Sequence, residues 1–159
     1  MLGRFKKRDI MAGEMLFGER LELGHIMEQY AKNPCSDIEL TKQIILALHD
    51  QPVTDEGAAM LAKYAREVVD GYLAWKDREL KECMPPQEPE AVNAGVEQLA
   101  EEIGDHGAVV DLAERFGFTF EQVYKMPYKD VFTIWKVDAA RARYRKRLDK
   151  VLQNNRKRK

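Results

Sequence analysis

The side chains able to do chemistry are few and scattered. Three histidines stand at positions 25, 49 and 106, and two cysteines at 35 and 83. Glu22-Leu23-Gly24-His25 has the Glu-x-x-His spacing of di-iron bundles, but such a site needs a second copy of the motif and further glutamates, and the chain has no second copy. Cys35 and Cys83 lie 48 residues apart with no third ligand nearby, which argues against zinc. A cysteine nucleophile needs a positioned histidine, and nothing adjacent supplies one. Gly104-Asp105-His106-Gly107 could seat a reactive histidine, yet the same residues serve a turn between helices. No glycine-rich phosphate loop occurs. The sequence therefore nominates no catalytic residue, no metal ligand and no cofactor, and a non-enzymatic protein is the expectation.

The elements that would have to position any site read as helices throughout. The chain has 159 residues, 45% of them hydrophobic and 33% charged, enough for one ordinary domain or two small helical units. No run of apolar residues is long enough to span a membrane, so no membrane partner is expected. Two cysteines cannot form a disulfide framework and point to a reducing compartment. Leu23, Ile26, Met27 and Tyr30 recur at helical spacing up to Asn33-Pro34. Ser36 or Asp37 caps a second helix with Ile38, Thr41, Ile44, Ile45 and Leu48 on one face. Thr54 caps a long third helix that carries Tyr72 and Trp75 and ends near Cys83, before Met84-Pro85-Pro86. Val92, Val96, Leu99 and Ile103 predict a fourth helix closed by Gly104.

A short helix with Val109, Leu112, Ala113 and Phe116 follows, and Gly117 stops it. Thr119 and Gln122 then form a capping box, and Pro127 opens a final helix to about Gln153. Its apolar stripe reads Val131, Ile134, Trp135, Ala142, Leu148 and Leu152. The expected fold is all-α, a compact bundle of about six helices with a long C-terminal helix. Its organisation reads as a basic N-terminal arm (1–17), an N-terminal helical unit (18–83), a Pro-rich connector (84–90), a C-terminal helical unit (91–153) and a basic tail (154–159).

Charge is segregated along the chain. The net charge is −1, yet residues 1–10 carry +3 and residues 140–159 carry +9, leaving −13 on the rest. An acidic body with basic ends can bind an anionic partner, or pair with another copy of itself, or simply end in a solvated tail.

Leu112-Ala113-Glu114-Arg115-Phe116-Gly117-Phe118-Thr119-Phe120-Glu121-Gln122-Val123 has the small residue, turn glycine and locking valine of a helix-turn-helix. DNA reading needs cations and base-edge donors on the second helix. Here Asp111, Glu114 and Glu121 surround the motif instead, so a structural corner is expected, with nucleic-acid binding as the alternative.

The stretch Val110–Gly117, followed by Thr119–Tyr128 with its Met126-Pro127-Tyr128 step and then Val131-Phe132, resembles the C-terminal part of small tail assembly chaperones of tailed bacteriophages and prophages. That resemblance covers residues 108–152. It implies a helical protein of the bacterial host cytoplasm that binds a tape-measure or tail-tube protein without catalysis. On this reading the partner contacts fall on the final helix. Tyr128, Phe132 and Trp135 would be apolar anchors, and Arg141, Arg145 and Lys146 charge partners. The competing reading of the three aromatics is internal packing against Phe116 and Phe120.

Overall fold

The computed structural model describes residues 6–86 and 89–157, apart from the side chains of residues 90, 97 and 100. The described residues form an all-α protein. The order is α1 (Phe17–Lys32), α2 (Asp37–His49), α3 (Asp55–Arg78), α4 (Pro89–Asn93), α5 (Val96–Ile103), α6 (Asp105–Phe116), α7 (Phe120–Tyr124) and α8 (Tyr128–Lys157). A π-helical turn, Glu79–Cys83, extends α3. Eight helices stand where about six were expected. One reason is Gly95, whose φ of +83° interrupts the predicted fourth helix and separates α4 from α5.

Local chemistry accounts for most boundaries. Ser36 accepts the Glu39 amide at 3.2 Å to start α2, and Thr54 accepts that of Gly57 at 3.2 Å to start α3. At α7 the box closes both ways: Thr119 Oγ1 accepts the Gln122 amide, and Gln122 Oε1 accepts the Thr119 amide. Gly117 ends α6 in the left-handed region, with φ of +66°.

α1, α2 and α3 pack side by side through Leu23, Ile26, Ile44, Ile45, Leu48 and Val68. The start of α8 lies against the π turn, α7 seats on α1, and α6 carries α7. Tyr128, Val131 and Phe132 of α8 thus share one core with Trp75 of α3 and Phe17 of α1. Residues on both sides of the connector expected at 84–90 thus contribute to one core; Gln87 and Glu88 lie outside the described residues. The physical reason is that α8 returns across the connector to cover the apolar end of α3.

The predicted N-terminal arm is also part of the core. Residues 8–16 form a strap whose Ile10 and Met15 are buried. Trp75 Nε1 donates to the Ile10 carbonyl at 2.8 Å, and Ile10 lies over Gly71, where a Cβ would come within 3.0 Å of Ile10 Cγ2. Met15 O then accepts the Tyr128 amide at 2.8 Å and Met126 O accepts the Phe17 amide at 2.8 Å, an antiparallel bridge between Leu16 and Pro127. Arg4 lies outside the described residues. At the other end α8 runs through residues 154–157 of the predicted tail, with Arg158 and Lys159 outside the description.

Candidate partner-binding surface

Three polar side chains converge where α1, the π turn and α8 meet. Arg20 donates from Nε to Glu79 Oε1 at 3.0 Å and from Nη2 to Oε2 at 2.6 Å, a bidentate pair largely shielded from water. The Tyr128 hydroxyl donates to the same Oε1. Burial pushes that hydroxyl well above the ordinary tyrosine value, and the Glu79 hydrogen bond and charge push it further. Burial opposes the Arg20 charge, but the bond and charge of Glu79 outweigh it and hold the guanidinium above its usual value. At neutral pH this trio is a closed, charge-balanced clamp whose protons stay in place.

The clamp fixes the aromatics expected as anchors. Tyr128 and Phe132 are both buried, edge-on to the Trp75 ring at 5.3 and 5.0 Å. Arg78 lies 4.5 Å above Trp75 and 4.7 Å above Phe132, a cation over two ring faces. Trp135 is half-buried, edge-on to Phe17 at 5.6 Å. Tyr128 and Phe132 are therefore core residues with no face free for a partner, which corrects the anchor assignment. The internal-packing alternative named the wrong partners as well. The aromatics meet Trp75 and Phe17, while Phe116 and Phe120 stay in the solvent. α8 crosses the end of α3, so its first turns bury toward that helix and not toward α6.

Of the expected charge partners, Arg141 is exposed and stands 4.0 Å from Asp138, and Arg145 is exposed. Lys146 is half-buried, on the side of α8 that carries Trp135 and Ala139. Arg143, which the sequence did not single out, donates to the backbone carbonyls of Met84 at 3.2 Å and Glu82 at 3.1 Å. It satisfies carbonyls left open at the end of the π turn.

The surface carries apolar residues that periodicity had assigned to interior stripes. Phe116, Phe118 and Phe120 are 41%, 40% and 55% exposed, and the first two rings lie 5.7 Å apart. They crown the α6–α7 corner, which stands close against α1: a Cβ on Gly18 would come within 3.1 Å of Tyr124 Cβ. Arg115 reaches from this corner to Asp138 of α8. Leu148 and Leu152, expected to continue the stripe of Val131 and Trp135, are exposed on the distal half of α8. Three phenylalanines within five positions were a legible signal, had exposure been decidable from spacing.

The two histidine motifs meet in one hollow, about 530 Å³, lined by Glu22, His25, Asp105 and His106. Among the described residues no three histidine, cysteine or acidic side chains group as metal ligands. His25 is paired with Gln29 at 2.7 Å, and His49 with the Tyr64 hydroxyl at 3.2 Å. Burial, then the charges of Glu79 and Glu82, push the Cys83 thiol up to about 11, far from the thiolate a nucleophile requires. Among the described residues no helix is long and apolar enough to cross a membrane.

Comparison with known proteins gives no match to a family model, a curated protein or a solved structure.

Proposed function

We propose that this chain is a non-enzymatic tail assembly chaperone of a tailed bacteriophage or prophage. In this reading it binds helical segments of a long tape-measure-type protein in the host cytoplasm and assists tail-tube assembly. The observation that carries the proposal is the solvent-facing aromatic corner at Phe116, Phe118 and Phe120, inside the stretch that resembles those chaperones. Apolar rings held on a rigid turn suit the apolar face of an amphipathic client helix. The client contact thus moves from the first turns of α8, which are buried, to the α6–α7 corner. No cofactor enters this task.

The competing reading, DNA binding through the same corner, finds little support in its geometry. α7 has only five residues, and its Lys125 is paired with Glu121 at 2.6 Å. The test is co-expression with a tape-measure protein, the long helical chain that fixes tail length in a tailed phage. The chaperone reading expects that protein in the soluble fraction only when the chain is present. It further expects Phe116→Ser, Phe118→Ser and Phe120→Ser together to abolish the effect without changing the chain's melting temperature. Equal solubility with and without the chain overturns it. So does sequence-selective binding of duplex DNA that survives physiological salt.

A further inference from the structure

Two exposed apolar seams on this molecule are left uncovered within the chain, and their charges are opposite. The distal half of α8 shows Tyr144, Leu148 and Val151 to solvent at 58%, 41% and 54%. They are spaced four and then three residues apart, the pattern of a helix–helix seam. Arg141 and Arg145 flank it on one side, Arg143 and Arg147 on the other. α5 shows Val96, Leu99 and Ile103 at 37%, 52% and 40%, spaced three and then four apart. Exposed Glu102 lies beside that seam. Between Lys81 and Arg115 the sequence has nine acidic residues and no lysine or arginine.

From this match we infer that the distal α8 of one copy docks antiparallel on α5 of a second copy, joining molecules head to tail. Three observations select that occupant. Like charges flank the α8 seam on both sides, so two α8 seams repel each other, and a partner must bring acids. The α5 seam of the same chain brings Glu102 at its edge, within a stretch that carries acids and no lysine or arginine. Read in reverse, its three-four spacing becomes four-three, so Tyr144 meets Ile103, Leu148 meets Leu99 and Val151 meets Val96. Each seam spans seven residue steps, roughly 10 Å at the helical rise, so the layers keep register along the whole contact. Opposed helix dipoles favour the same orientation. The two surfaces differ, so the contact is heterologous and leaves a free seam at each end, able to grow into a chain or close into a ring.

The pairing stands independently of the chaperone reading, and its test involves no client. Light scattering with size exclusion, at low salt over a roughly hundredfold concentration range, reads the mass of the full chain. Wild type is expected to grow in mass with concentration and to lose that growth as salt screens the pair. Leu148→Asp and Leu99→Asp are both surface changes, and each is expected to give a monomer with the wild-type melting temperature. The decisive sample mixes the two variants. Each retains the seam the other lacks, so the mixture forms dimers and nothing larger. A wild type that stays monomeric throughout overturns the pairing, as does a mixture that stays monomeric while wild type associates. Failure to solubilise a tape-measure protein, with this pattern intact, removes only the function proposed above.

Discussion

The Arg20–Glu79–Tyr128 clamp makes a prediction whose size follows from burial. Replacing Glu79 by Gln removes the charge and half of a bidentate pair, while Arg20 remains largely shielded, its side chain 13% exposed. Breaking one partner of a buried ion pair costs about 3–5 kcal/mol, because the surviving charge is left uncompensated. For a chain of this size that is a fall in melting temperature of roughly 6–20 °C. Tyr128→Phe deletes one hydrogen bond to a charged acceptor and should cost less, about 1.5–3 kcal/mol. Arg20→Met combined with Glu79→Leu removes both charges together. It should cost much less than the sum of the single changes, since no buried charge is stranded. Urea titration followed by the fluorescence of Trp75 and Trp135 reads all three, with an unchanged slope confirming that the unfolding transition is the same. A loss below about 1 kcal/mol for Glu79→Gln, or additive single and double variants, refutes the claim that a shielded ion pair joins α1, the π turn and α8.

Other perturbations test the parts around it. Trp75→Phe keeps a smaller aromatic ring but removes the indole donor to the Ile10 carbonyl, which then retains only the Gly13 amide; the lost bond alone should cost about 0.5–1.5 kcal/mol by urea titration, with the strap's amides exchanging faster. Gly18→Ala forces a Cβ against Tyr124 and pushes α7 off α1; a cost of about 1–3 kcal/mol is expected, read by thermal melting. Burial first, and then the charge of Arg8, holds the His49 imidazole below its ordinary value of 6.5. Folding thus favours neutral His49, so its contribution is full above pH 6.5 and is lost as pH falls from there through the folded value. Melts of His49→Gln across that window should lack this dependence, and a wild type whose stability is flat over the same range counts against it.

Much of this protein's local architecture is legible in one dimension. Ser36, Thr54 and Thr119 cap the helices their spacing predicts, because a hydroxyl that satisfies a first-turn amide acts within three residues of itself. Gly117 ends α6 for an equally local reason, the cost of a left-handed backbone for any residue with a Cβ. The all-α class follows from the same short-range rules.

Which face of each helix is buried was decided at long range. Helical periodicity places Leu148 and Val131 on apolar stripes without saying that only Val131 has a neighbour to bury against. The first turns of α8 find their cover on the π turn and on α1, both far away in sequence. The strap at Ile10 is invisible to periodicity for the same reason, since its order comes from Gly71 and Trp75 and not from its own residues. The anchors expected at Tyr128 and Phe132 became core, and the aromatic rings left over became surface. The sequence by itself determined which residues are apolar, which are charged and where helices start and stop. Only the tertiary structure decided which apolar residues remain in water, because burial is a property of pairs of surfaces that no single segment contains.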